Sequence, residues 1–229
     1  MNFSAIKDIT IPEGNVVQID VGGVTLWKSG PLPSAYQQVE YIAVASTIGA
    51  YIDLGFAFDT GATVHLSQYV PASGTTYIFG ATENSGKLRC ILSNPYGTEG
   101  QMYGSSGTAY IQCTAEYVVG WNDYILTYKN GLLKAENTTM GVYDDSPKQR
   151  EYAMTNNLYL FAQNYNGSPR FGNIRQVRSF QYYDKNDTLI CDLIPCYRKS
   201  DGVIGMYDIV RKIFLTNAGS GSFTKGADV

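Results

Sequence analysis

The sequence predicts an all-β sandwich preceded by a small β clip, and three observations predict it. The composition is rich in strand and turn formers, with 19 Tyr, 24 Gly and many Thr, Ser and Asn. Tyr and Thr suit half-buried pleated surfaces, while Gly and Asn suit the turns between strands. Apolar and polar residues alternate with period two in several segments, as in Ala62-Thr63-Val64-His65-Leu66-Ser67. Turn signals separate these runs at short intervals, and no long segment with a helical period interrupts them. At 229 residues, 44% apolar and only 16% charged, the chain can bury one sandwich core plus an appendage and lies outside the disordered compositions.

Residues 1–28 read as a clip for attachment or oligomerisation. Ile9 and Ile11 lead into the turn Pro12-Glu13-Gly14-Asn15, and Val17 and Ile19 then alternate with polar residues. Gly22-Gly23 signals a tight hairpin, because both glycines accept positive φ, with Leu26 and Trp27 on the return strand. A ribbon this small cannot bury enough of itself to stand alone, so it must dock on the main domain, a symmetry copy or a larger assembly. Residues 29–33, with two prolines, form a stiff linker. The sandwich then spans 34–229. Ser34-Ala35-Tyr36-Gln37 has capping-box spacing and predicts one helical turn.

The strands follow in order. Ala62, Val64 and Leu66 face inward on one strand; 77–79 and 88–92 are further strands. Asp123–Lys129, Asn130-Gly131 and Leu132–Lys134 form the clearest hairpin, with a type I′ turn. Residues 158–162, 177–182 and 189–194 bring the set above ten strands. Tyr96, Tyr103, Tyr110, Tyr117 and Tyr124 fall seven apart, but the intervening glycines forbid a helical seam. The abundance of Tyr leaves hydroxyls for the surface, as recognition surfaces require.

Charge excludes some partners. Net charge is −3, with no basic run to neutralise a string of phosphates, so nucleic acid is not expected. Arg170, Arg175 and Arg178 read as a solvated face. No segment approaches the ~18–20 apolar residues of a spanning helix, so membrane insertion is not expected. Met1-Asn2-Phe3-Ser4 is unlike a secretory signal, which predicts synthesis in a cytoplasm and exit by another route.

Cys191 and Cys196 lie on one predicted strand, roughly 16 Å apart, too far for a disulfide without a sharp bend. Cys90 and Cys113 could meet on neighbouring strands. Free, buried cysteines are the favoured reading.

From Leu32 onward the sequence resembles the concanavalin-like (LamG-type) jelly-roll domains of phage and prophage structural proteins from gut Gram-positive hosts. The resemblance is carried by Leu32-Pro33-Ser34, Gln38-Val39-Glu40-Tyr41-Ile42, Tyr51-Ile52-Asp53-Leu54-Gly55-Phe56 and Phe79-Gly80-Ala81. Its most specific block runs from Asp192-Leu193-Ile194-Pro195-Cys196-Tyr197 to Gly205-Met206-Tyr207-Asp208 and on through Phe214–Gly219. The middle, roughly 85–155, matches in style alone. Ile9–Gly14 with Val24–Lys28 is similar to a short unit that precedes such domains in tail proteins. The resemblance implies a jelly-roll β-sandwich in a virion-associated tail, baseplate or decoration protein. Implied partners are other virion proteins through the clip, cell-surface glycan, and copies of itself. The short N-terminal region implies an accessory or decoration protein. One departure is Val210-Arg211 where the family turns at Asn-Gly, so the last hairpin is expected to differ. Within the specific block, Pro195 suits a strand end, Gly202 and Gly205 suit tight turns, and Val203, Met206 and Tyr207 supply core.

No reactive constellation emerges from the sequence. His65 is the one histidine, on a polar strand face with Thr63 and Ser67, and no nucleophile elbow accompanies it. One His and scattered Cys make zinc unexpected. Gly80–Leu88 departs from a phosphate loop in spacing and in the residue after Lys87. The Glu-x-Asp-x-x-Glu run of concanavalin-like glycosidases is missing, and a pair assembled from separate strands has no signal. Asp184-Lys185-Asn186-Asp187 could offer oxygens to calcium, but a hairpin turn is the stronger reading. The sequence thus points to a non-enzyme without a cofactor. Three loops rich in Tyr, Asn and Gly are the candidate ligand sites, through Asn94, Tyr96, Tyr103, Asn164, Tyr165 and Asn166, with Arg170 beside the last. Aromatic faces stack on sugar C–H surfaces, and amides bond hydroxyls. The expected function is host-glycan binding or adhesion on a virion. A carbohydrate-active hydrolase and a purely structural oligomerisation module are the alternatives.

Overall fold

A computed structural model describes residues 19–21, 24–27, 32–45, 49–59, 61–71, 78–82, 86–90, 99–106, 109–116, 118–130, 132–145, 154–171 and 176–229. In chain order the strands are β1 (Ile19–Val21), β2 (Val24–Trp27), β3 (Tyr36–Gln38), β4 (Ile42–Val44), β5 (Ile52–Ala57), β6 (Thr63–Val70) and β7 (Phe79–Thr82). Next come β8 (Gly86–Cys90), β9 (Glu99–Ser106), β10 (Ala109–Glu116), β11 (Gly120–Lys129), β12 (Leu132–Asn137), β13 (Val142–Asp145) and β14 (Asn157–Leu160). The last are β15 (Ala162–Tyr165), β16 (Ser168–Phe171), β17 (Gln176–Tyr183), β18 (Leu189–Arg198), β19 (Ile204–Asp208), β20 (Ile213–Thr216) and β21 (Phe223–Lys225). No helix occurs among the described residues. The chain is an all-β jelly-roll sandwich.

The first main sheet has the order β13-β12-β11-β6-β17-β18-β19-β20. The facing sheet has the order β10-β9-β8-β7-β14-β5, with β15 and β16 beside β7. The core between them comes from the alternation: Val64 and Leu66 on β6, Leu126 on β11, Phe180 on β17 and Leu193 on β18 meet Ile52, Leu54, Phe79 and Leu160 from the other sheet. Phe79 and Phe180 meet edge to face, centroids 5.5 Å apart. Burying a side chain of this size contributes ~1.5–3 kcal/mol.

The first sheet forks. β17 pairs with β18 over Phe180–Tyr183, but its first residues, Gln176 and Val177, pair with β4. β18 pairs with β3 from Cys196 to Arg198. β3 and β4 therefore fill the gap where β17 and β18 diverge. Pro195 sits at this fork inside a ten-residue strand, not at a strand end as expected. Its carbonyl accepts from Val39 N at 3.0 Å, so its ring nitrogen faces the same side and no bond to β19 is lost.

Other expectations need correction. Tyr124, Tyr128 and Tyr182 are fully buried core residues, so the Tyr excess is not simply a surface feature. The Tyr182 hydroxyl accepts from Asp59 N at 2.7 Å. Ser34 opens no helix: Tyr36 N bonds the Pro33 carbonyl in a tight turn, and β3 starts at once. The predicted strand 158–162 is split at Phe161, whose φ of +69° turns the chain from β14 into β15. Gly205 lies within β19 and makes no turn. A Cβ there would stand 2.2 Å from the Leu215 carbonyl oxygen, so glycine is required by close approach of β20.

Several expectations hold. Asn130 has φ +52° in a turn joining β11 to β12, Gly202 has φ +72° in a turn, and Asp184–Asp187 is a hairpin turn. Cys191 and Cys196 are free and buried. The last hairpin, between β19 and β20, turns at Val210-Arg211. Buried Asp208 accepts from Val210 N and Arg211 N at 2.9 and 3.1 Å, and Arg211 Nη1 reaches the Leu54 carbonyl of the facing sheet at 2.6 Å. In the clip, β1 and β2 pair antiparallel, Ile19 opposite Trp27, with a register shift at Leu26; Ile9, Ile11 and Val17 lie outside the described residues.

Candidate functional site

The outward face of β11, β6, β17 and β18 carries a groove of about 1050 Å³. Alternation puts every second residue of these strands on that face, and register stacks them in rows. The first row runs Trp121, Tyr69, Gln176 and the second Asp123, Ser67, Ser179. The third runs Ile125, His65, Gln181, Asp192. At about 4.8 Å between strands, four strands give a floor ~14 Å wide. That width suits an extended polar ligand.

A β-bulge supplies the central cation. Val177 pairs with Gln68 and Ser179 with Ser67, which leaves Arg178 as the extra residue of β17. Arg178 and Ser179 stand between inward-facing Val177 and Phe180, so the bulge lets both of them face outward side by side. Its Nε donates to Ser67 Oγ at 2.6 Å, and its Nη2 to both oxygens of Asp123 at 3.0 and 3.1 Å. The guanidinium also covers the Trp121 ring, 4.9 Å from the centroid. Trp121 is flanked by Tyr69 at 5.9 Å and Tyr41 at 5.7 Å.

Behind Trp121, inward-facing Asn122 fixes the start of β11. Its amide donates to the carbonyls of Val118 and Gly120 at 2.7 and 2.9 Å and accepts from Val118 N and from Asn137 Nδ2. Another part of the wall is the bend between β3 and β4, which contains Glu40 and Tyr41. The C-terminal residues clamp it: Glu40 N and Ala227 O bond at 3.0 Å, Ala227 N donates to Glu40 Oε2 at 3.2 Å, and Gly226 N donates to Tyr41 O at 3.0 Å.

The third row is a hydrogen-bonded chain. Tyr183 Oη donates to Gln181 Oε1 at 3.2 Å, and Gln181 Nε2 donates to Asp192 Oδ2 at 3.0 Å. Asp192 is only 6% exposed on the floor. Burial, and secondarily the Asp192 charge, pushes the Tyr183 phenol upward, so it stays a neutral donor. The His65 ring lies 5.0 Å from that of Tyr183, and burial lowers its pKa, so the imidazole is neutral at pH 7. The groove therefore offers aromatic surface, amide and phenol donors and carboxylate acceptors.

The loop residues expected to bind ligand fall elsewhere. Asn94 and Tyr96 lie outside the described residues, and Tyr103 is in β9, opposite Arg89 and Gln112. Asn164, Tyr165, Asn166 and Arg170 do come together, on the β15–β16 hairpin. Asn164 is buried at 3% exposure; it donates to the Asn157 carbonyl and accepts from Gly167 N, so it builds the turn. Arg170 lies over the Tyr165 ring at 3.4 Å and covers a face that a sugar would need. Asp184 caps its own turn through Asn186 N and Thr188 N, and Asp187 pairs with Lys129. Among the described residues no cluster of His, Cys, Asp and Glu could hold a metal ion.

Of the groove residues, sequence reasoning placed His65 on a polar face with Ser67 and missed Trp121, Asp123 and Gln181. Arg178 is exposed, as the solvated-face reading expects, but that reading does not foresee its contact with Trp121. Polar and aromatic outward positions at 121, 123, 65 and 67 were a signal available in the alternation itself.

No family model and no curated protein matches the chain. Solved structures similar to it include galectin-Ib of Xenopus laevis, at 9% identity over 59% of this chain and 100% of that one, with TM-score 0.34. A toad ovary galectin in complex with thio-digalactose is 9% identical over 58% of this chain and 97% of its own, TM-score 0.36. Tailspike protein 2 of an Escherichia coli O157:H7 bacteriophage is 9% identical over 68% of this chain but 27% of its own length, TM-score 0.37.

Proposed function

We propose that this protein is a non-catalytic glycan-binding module whose ligand lies along the outward groove of the larger sheet. The observation that supports it most is the arrangement of partly exposed Trp121 beside the hydrogen-bonding row of Tyr183, Gln181 and Asp192. An aromatic surface for sugar C–H faces next to planar amide and carboxylate groups for hydroxyls is the chemistry saccharide recognition needs. Its setting is a phage virion, in the tail, baseplate or capsid decoration, with the clip of residues 1–28 attaching it to other virion proteins and to copies of itself. The block Asp192–Asp208 and its resemblance to virion jelly rolls support that setting.

Binding on a glycan array, lost in Trp121→Ala, is the expected result. An array without hits contradicts the binding role, and release of cleaved saccharide contradicts the non-catalytic one. Mass spectrometry of purified virions tests the setting: the chain is expected in the particles, and its absence from them counts against the proposal.

A further inference from the structure

The charge of the groove bears on which glycans it accepts. Its lining holds three carboxylates, Glu40, Asp123 and Asp192, against one guanidinium, Arg178, with His65 neutral at pH 7. Nε of Arg178 is engaged by Ser67 and Nη2 by both Asp123 oxygens, so a ligand carboxylate could take a two-point grip, which needs Nη2, only by displacing Asp123. Glu40 at the wall and Asp192 on the floor bring negative charge to a groove ~14 Å wide. An anionic group bound there stays within roughly one or two screening lengths of both at physiological salt, since that length is ~8 Å. Sugar hydroxyls, by contrast, are donors that carboxylates accept without a charge penalty.

We propose that the groove takes uncharged saccharides and rejects those bearing uronate, sialate or sulfate groups, an inference that rests on the glycan reading above. The selection is made by like-charge repulsion and by the prior engagement of Arg178, not by shape.

Matched pairs test it. Lactose with 3′-sialyllactose, and oligomers of N-acetylglucosamine with hyaluronan oligomers of equal length, are titrated at 0.05 and 0.5 M NaCl. In any pair that binds, the neutral member is expected to bind at least tenfold more tightly at low salt, with the gap narrowing at high salt. In Glu40→Gln/Asp192→Asn the acidic-to-neutral affinity ratio should rise at least fivefold. Each replacement keeps an acceptor oxygen for Ala227 N or Gln181. Glu40→Gln alone, at an exposed position, should move the ratio the same way if the double variant folds poorly. An acidic member that binds equally or better at low salt, or a ratio indifferent to Glu40→Gln and the double variant, overturns the inference. If such acidic binding is abolished by Trp121→Ala, the glycan reading survives and this inference alone falls. Binding by no saccharide overturns both.

Discussion

The guanidinium of Arg178 lies over the indole of Trp121, 4.9 Å from the ring centroid, at a one-residue bulge in β17 that sets Ser179 outward beside it. The same side chain grips Asp123 and Ser67, so one residue couples three strands of the groove. Arg178→Lys keeps the charge but loses the planar fork and the stacked contact. Its ion pair is well exposed, so stability should fall by only about 1 kcal/mol or less. Glycan affinity should fall about tenfold, roughly the ~1.4 kcal/mol that such a factor represents. Calorimetric titration beside a urea melt separates the two effects.

Gly205→Ala should destabilise the fold. The new Cβ meets the Leu215 carbonyl oxygen at 2.2 Å and the Phe214 ring at about 3 Å, and a strand backbone cannot yield cheaply. Overpacking of this kind costs ~1–3 kcal/mol, seen as a lowered urea midpoint. Gly202→Ala is the contrast: nothing lies within 4 Å of its Cβ, so only the strain of φ +72° is added, about 1–2 kcal/mol.

Thiol reactivity should be low at two cysteines. Burial pushes the Cys196 thiol up to about 12 and the Cys191 thiol higher still, so neither forms thiolate at pH 8. Peptide mapping after iodoacetamide treatment of the native protein should find both unmodified, and both modified after denaturation in urea.

Stability should depend on pH near the histidine range. Burial lowers the folded-state pKa of His65 below its ordinary 6.5, so the unfolded chain takes up its proton first as pH falls. The stabilising contribution of neutral His65 is thus present above about pH 6.5 and is lost as pH drops from there through the lower folded value. His65→Gln should flatten this limb of a melting-temperature profile. Asp184, Asp201 and Asp228, held below the usual carboxylate range by hydrogen bonds, act in the same direction but only in more acid solution.

The sandwich was legible because its signals are local. Strict alternation in 62–67, the Asn130-Gly131 turn and the 189–194 run each declare themselves within a few residues. What was not legible depends on register. Trp121, Ser67 and Gln181 share a groove only because β11, β6 and β17 align as they do, across gaps of more than fifty residues. The bulge that sets Ser179 outward beside Arg178 is announced by no local pattern. Pro195 and Gly205 misled for the same reason, since their roles come from the fork at β3 and the approach of β20, both distant in sequence. Tyr-rich turns drew attention because loops often carry function, whereas here a sheet face offers the better-formed surface.

The location of the ligand is most directly tested by amide and indole chemical-shift mapping with a neutral oligosaccharide selected from an array. Shifts are expected at the Trp121 indole N–H, the Gln181 side-chain amide and the backbone of 176–183, with the β15–β16 hairpin unmoved. Shifts confined to 162–171, or none at Trp121, would contradict a ligand in the groove.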